Sequence, residues 1–159
     1  MGYTYAYENP KGEGLACAHA TNLKISLKKT VETTKAIRGR RLSAAQSFLE
    51  EVIRKERAVP YTRFKAEVAH KKGKGIDTGG YPVNVAKEVL RLLQAVEKNA
   101  SEKDLSGELR IEAISAREGT GRFHTGRYPG RNMKVTHLEV VVKEMKKEKK
   151  SAKKEESKE

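Results

Sequence analysis

Leu109-Arg-Ile-Glu-Ala-Ile-Ser-Ala116 and Thr136-His-Leu-Glu-Val-Val-Val142 alternate apolar and polar residues, and period two reads as a pair of strands. Leu109, Ile111 and Ala113 would share one face of the first, and Leu138, Val140 and Val142 one face of the second. Between them run eighteen residues, REGTGRFHTGRYPGRNMK (117–134), in which four glycines and one proline punctuate Arg117, Arg122, Arg127, Arg131 and Lys134. With Glu118 the stretch carries +4. A connection this long is functional or disordered. If both arms continue antiparallel, about eight residues each at roughly 3.3 Å per residue make a finger about 25 Å long. Phe123, Tyr128 and Met133 are its only large apolar groups, too few for a two-stranded ribbon to stand alone in water.

The residue types indicate what would hold such a ribbon. Arginine forks match phosphate oxygens, glycines allow close backbone approach, and Phe123 and Tyr128 offer faces on which unpaired bases stack. A finger embedded in RNA satisfies all three. The same composition also describes a mobile glycine-rich surface loop, and the residues alone leave both readings open.

The rest of the chain favours a polyanion as partner. Its 159 residues hold 34 Lys and Arg against 21 Asp and Glu, for a net charge of +13. A small domain with that much like charge repels itself unless phosphates or counterions neutralise it. The lone Cys17 excludes an intramolecular disulfide and suits a reducing, cytosolic setting. No run approaches the length of a membrane span and the N-terminus lacks the order of a signal peptide, so the chain reads as soluble, cytoplasmic and without a membrane partner.

Residues 1–14 read as a loose N-terminal extension, 15–143 as one α+β domain, and 144–159 as a disordered Lys/Glu tail. Within the domain, residues 15–25 form a first strand. Ser26 caps a helix over 27–38, with Leu27, Val31, Thr34 and Ile37 inward and Gly39 as the left-handed residue at its end. Lys28, Lys29 and Lys35 mark the outer side and Arg38, Arg40 and Arg41 cluster at the end, more cations than a helix dipole needs. Ser43-Ala-Ala-Gln46 reads as the capping box of a second helix whose Ala45, Phe48, Leu49, Val52 and Ile53 face the core. Residues 59–82 are a second basic loop, with Arg63, Lys65, Lys71, Lys72 and Lys74 interleaved with Tyr61, Phe64 and Tyr81. Pro82 opens the longest helix, which turns Val85, Val89, Leu92, Leu93 and Val96 inward. The expected fold is a three-stranded antiparallel sheet packed with three helices, plus a long β-hairpin.

Nothing predicts catalysis or a cofactor. His19, His70, His124 and His137 are scattered, and Cys17 with His19 is not a zinc set. The glycines of residues 73–79 miss the dinucleotide spacing by one residue, and Gly121 with Gly126 has the P-loop interval but Arg127 stands where Lys is needed.

The order strand, helix ending in Arg-Gly, Ser-rich helix start, Ala-rich helix ending Asn99-Ala100, and two strands joined by an Arg/Gly finger with Thr136-His137-Leu138 resembles the ribosomal large-subunit protein twenty-two family of archaeal and eukaryotic type. Val59-Pro60-Tyr61 and Gly80-Tyr81-Pro82 are similar to an insertion of the archaeal type. The resemblance implies a domain on the subunit surface that binds large-subunit rRNA beside neighbouring ribosomal proteins, with no homo-oligomer. It implies a finger threading between RNA domains, its tip, Phe123, His124, Thr125, Gly126 and Arg127, lining the polypeptide exit tunnel next to the nascent chain. Arg117, Arg122, Arg131, Lys134 and His137 would serve the arms. Lys28, Lys29, Lys35, Arg38, Arg40, Arg41 and the loop cations would serve the globular part. Met133-Lys134-Val135 departs from the bacterial pattern, where a Lys-Arg pair is usual. A non-ribosomal RNA- or DNA-binding protein, of chromatin or RNA-chaperone type, would share the charge, but the longest helix shows only Lys87, Arg91 and Lys98 outward, which is no recognition face.

Overall fold

The computed structural model describes residues 4–8, 12–73, 75–105, 107–121, 123–128 and 130–145. The expected tail beyond residue 145, Lys74 and Arg122 lie outside them. In chain order the elements are β1 (Leu15–Leu23), α1 (Leu27–Ile37), α2 (Leu42–Ile53), β2 (Val59–Pro60), β3 (Gly79–Gly80), α3 (Val83–Glu102), β4 (Glu108–Glu118) and β5 (Thr136–Met145). The three-stranded sheet has the order β1-β5-β4 and both pairings are antiparallel. The fold is α+β, as the two periodicities require.

The strand at the centre is the most apolar. Leu138, Val140 and Val142 of β5 are completely buried, in one core with Val85, Val89, Leu92, Leu93 and Val96 of α3. All five of those α3 residues recur at helical spacing, so one stripe fills the layer between sheet and helix. The end of α3 also ties down the edge strand: Asn99 Nδ2 and Lys103 Nζ donate to the Cys17 and Leu15 carbonyls at 2.9 and 2.8 Å. Those bonds occupy strand groups that would otherwise be open to foreign pairing. The second face of β5 is covered too, for Glu139 and Val141 are both buried. The N-terminal segment, expected to be loose, contributes there: the Ala6 amide donates to both Glu139 oxygens at 3.2 and 3.1 Å, and Tyr5 Oη lies 3.0 Å from His19 Nδ1.

Four local expectations are corrected. The alternation of β4 is interrupted by a bulge between Ile111 and Ala113. Ile111 and Ile114 are therefore the buried pair, while Ala113, expected beside Ile111, sits opposite Val141. Ser43-Ala-Ala-Gln46 is not a capping box, because α2 starts at Leu42 with Arg41 at the N-cap and no side-chain cap. Burial of Leu42 and an extended bridge from Arg41 to Arg110 fix the earlier start. Ser26 does hold the N-cap of α1 but donates or accepts no side-chain cap bond. The buried face of α1 is also polar: Thr30, Glu32, Thr33, Thr34 and Ile37 are buried, while Leu27 and Val31 are half-buried. The three threonine hydroxyls satisfy themselves on the Ser26, Lys29 and Val31 carbonyls, which permits their burial.

The basic loop has a small scaffold of its own. Val59 pairs with Gly80 and Pro60 with Gly79, and the Tyr61 amide donates to the Thr78 carbonyl at 2.9 Å. A Cβ on Gly79 would stand 2.8 Å from the Val59 carbonyl oxygen. Gly79→Ala is expected to force the pair apart at about 1–3 kcal/mol, read as a lower urea midpoint with an unchanged slope.

Candidate nucleic-acid interface

The first cationic patch is built on α1. Lys28, Lys29 and Lys35 are exposed, as expected, but the face between them carries a buried acid, Glu32, only 1% exposed. One Glu32 oxygen accepts the Arg63 and Phe64 amides at 2.8 and 2.7 Å, and the other accepts the Thr62 amide at 3.0 Å and its hydroxyl at 3.3 Å. Lys35 Nζ donates to the same hydroxyl at 2.7 Å. Burial by itself would raise the carboxyl's pKa, and the amides of Thr62, Phe64 and Arg63 outweigh it, leaving the group below its ordinary value. The resulting support for the loop is complete above the ordinary carboxyl range and is lost as pH falls through the depressed pKa. Burial, then the Glu32 charge, pushes the neighbouring Tyr61 hydroxyl up. The clasp brings Lys28 Nζ and Arg63 Cζ to 5.8 and 5.2 Å from the Phe64 ring centre. Farther along the loop Lys65 and Lys72 are exposed, and Lys71 Nζ lies 5.7 Å from the Tyr81 ring centre.

The second patch lies at the α1–α2 junction, where Gly39 takes φ +72° and its amide donates to the Ile111 carbonyl at 3.1 Å. The chain then runs alongside β4, the Ile111 amide donating to Arg40 at 2.9 Å. The left-handed turn at Gly39 separates Arg38 from the two residues that follow, and Arg40 and Arg41 reach different neighbours, so the three arginines do not form one cluster. Arg38 is exposed, on the sheet face of Ser115 and Val141. Arg40 Cζ sits 4.8 Å from the Phe48 ring centre and Arg57 Cζ 5.0 Å from the same ring. Arg41 pairs with Glu108 at 2.6 Å in open solvent, where such a pair is worth little.

The third patch is the finger. Its arms are joined at Glu118 and Thr136, by Gly119 N–H to the Val135 carbonyl at 3.0 Å, by a bridge between Phe123 and Asn132, and by His124 N–H to the Arg131 carbonyl at 2.8 Å. Among the described residues the pairing is intermittent. At the root, Arg117 Nη2 reaches Glu139 at 3.2 Å, and the Asn22 amide donates to His137 Nδ1 at 3.1 Å. At the tip Phe123 and Tyr128 are 67% and 62% exposed, and Arg127 and Arg131 bring their guanidinium carbons to 5.7 and 5.3 Å from the Tyr128 ring centre. His124, Thr125 and Gly126 are exposed beside them, and Lys134 is exposed nearer the root, by Glu118 and Val135.

Sequence reasoning passed over Glu32, Arg57 and Arg110. Glu32 carried a signal, being the only acid in α1 and spaced to share a face with Lys28 and Lys35. Arg110, whose Nε donates to the Gly39 carbonyl at 2.8 Å, carried none. Among the described residues no three His, Cys, Asp or Glu side chains are grouped to hold a metal ion, and no helix is long and apolar enough to cross a membrane.

Residues 18–143 match the family model described as ribosomal protein L22p/L17e. The chain is similar to the large ribosomal subunit protein uL22 of Ignicoccus hospitalis, 41% identical over 150 residues that cover 88% of this chain and 93% of that protein. The protein of the same name from Methanopyrus kandleri is 39% identical over 152 residues, covering 89% and 94%. That of Methanosphaera stadtmanae is 37% identical over 148 residues, covering 89% and 96%.

Proposed function

Since the chain belongs to the ribosomal protein L22p/L17e family, we propose that it bridges several segments of large-subunit rRNA during assembly and that its finger tip lines the polypeptide exit tunnel. It is a structural protein of the large ribosomal subunit, cytoplasmic, and not an enzyme. In this reading residues 15–143 act as one unit with neighbouring ribosomal proteins, and the finger of 117–134 supplies reach. The observation that carries it is the tip: two large aromatic rings left in solvent, with Arg127 and Arg131 against one of them, on a ribbon joined at few points. Exposed rings beside guanidinium groups suit unpaired bases and phosphates, whereas deep A-form grooves admit few side chains.

The three patches approach RNA through phosphates and shape, and neutralise repulsion where helices pack together. Binding to in-vitro transcribed large-subunit rRNA is expected to weaken with salt at a log-log slope of several units. A photo-crosslinker in place of Thr125 is expected to capture rRNA in assembled subunits and nascent polypeptide in translating ribosomes. Affinity insensitive to salt would overturn the RNA reading. Capture of rRNA without nascent chain would overturn the tunnel assignment alone.

A further inference from the structure

The strongest remaining feature is the acid placed inside the α1 cationic patch. A carboxylate in the middle of a phosphate-binding surface opposes binding on charge alone. Its surroundings give it another use. Three consecutive amides, Thr62 to Phe64, converge on Glu32, the kind of backbone concavity that holds an anion. Here the anion is supplied from within, thirty residues away in sequence, and it is almost completely covered by its partners. Without it those amides need other acceptors, and among the described residues no main-chain hydrogen bond joins 62–64 to α1.

We propose that Glu32 is a positioning residue for RNA binding: it folds the loop onto α1 so that Lys28, Lys35, Arg63 and Phe64 present one preformed surface to large-subunit rRNA. The inference rests on the proposed RNA reading and adds a residue whose own charge has the wrong sign for it. Lys35 is connected through the Thr62 hydroxyl, which lies between the ammonium and the carboxylate. Arg63 and Phe64 are connected through their amides, and Lys28 through the Phe64 ring. Ordering the loop in advance removes an entropic cost that RNA would otherwise have to offset.

The test sets geometry against charge. Glu32→Gln keeps the side chain's shape while removing a negative charge, so a purely electrostatic surface would bind RNA more tightly. The expected result with the full chain and in-vitro transcribed large-subunit rRNA is about 5- to 20-fold weaker binding. The salt slope should fall by about one to two units as two or three phosphate contacts, each near 0.7, lose their common placement. Amide exchange at Thr62–Phe64 should quicken in the free protein while exchange in β5 holds. In a double-mutant cycle, Arg63→Ala should cost much less in the Gln background than in the wild type, whereas Arg127→Glu should cost the same in both. Thr62→Ala, at an exposed position, severs the link to Lys35 and should give a smaller loss in the same direction. This second variant decides the matter if the Gln variant melts. Unchanged or tighter binding, or additive effects of Glu32 and Arg63, would overturn the role given to Glu32. Failure of the wild type to bind rRNA in a salt-dependent manner would instead overturn the function on which it rests.

Discussion

Replacing Arg127 and Arg131 together with glutamate is expected to exclude the protein from large subunits while leaving it folded. The two guanidinium groups both lie against Tyr128, on a tip whose described backbone is joined at Phe123–Asn132 and His124–Arg131. Each charge-assisted hydrogen bond to a phosphate is worth about 1.5–3 kcal/mol net. Loss of two weakens rRNA binding by about two to four orders of magnitude, before the added repulsion between carboxylates and phosphates is counted. Neither side chain belongs to the core, so the urea midpoint should move by less than about 0.5 kcal/mol equivalent. Sucrose-gradient profiles of cells carrying a tagged variant should show it at the top of the gradient, where the wild type travels with large subunits. Normal incorporation with wild-type affinity would remove the finger from the mechanism.

The effect of such substitutions was more legible in the sequence than the arrangement behind it. Elements with a single dominant period came through intact. The α3 stripe was readable because every alternative phase would bury charge, and the Leu138/Val140/Val142 face of β5 because three large apolar residues share it, although the opposite face with Glu139 is buried as well. The Leu109–Ile114 segment is different, since apolar residues at 109, 111, 113 and 114 satisfy either plain alternation or a shift after Ile111. Only pairing with β5 selects the bulge. The Ser43 motif obeyed a local rule that lost to burial of Leu42, a tertiary contact with no local signature.

Charge was legible as composition and illegible as geometry for the same reason. The three arginines at 38, 40 and 41 are close in the chain but reach different neighbours, because the backbone turns at Gly39 before it bridges to β4 at Arg41. Glu32 and the 62–64 amides are far apart in the chain and in contact in space. A reading that assigns charged helical residues to solvent has no way to place an acid whose partners are main-chain amides of a distant loop. The pairing of Arg40 and Arg57 across Phe48 is a further case, for the ring itself is a correctly expected core residue.

Separation of folding from binding makes the last prediction the most demanding. Leu138→Ala is expected to cost about 2–5 kcal/mol, since the side chain is fully buried on the central strand and the cavity left behind collapses only partly. Against a total stability of about 5–15 kcal/mol that is a melting shift of roughly 5 to 20 °C. Below the new midpoint, where the variant is still native, its rRNA affinity and salt slope should match the wild type, because Leu138 touches no patch. Phe123→Ala with Tyr128→Ala should do the reverse. Both rings are mostly in solvent, so the melting temperature should stay within a degree or two. Stacking is worth about 1–3 kcal/mol per base, so loss of both rings should lower rRNA affinity by roughly 1.5 to 4 orders of magnitude with the salt slope nearly unchanged. That last detail separates rings that stack on bases from arginines that neutralise phosphates, whose loss must flatten the slope. If the double tip variant melted as early as Leu138→Ala, the rings would be holding the ribbon together, and RNA would no longer be needed to explain why they face water.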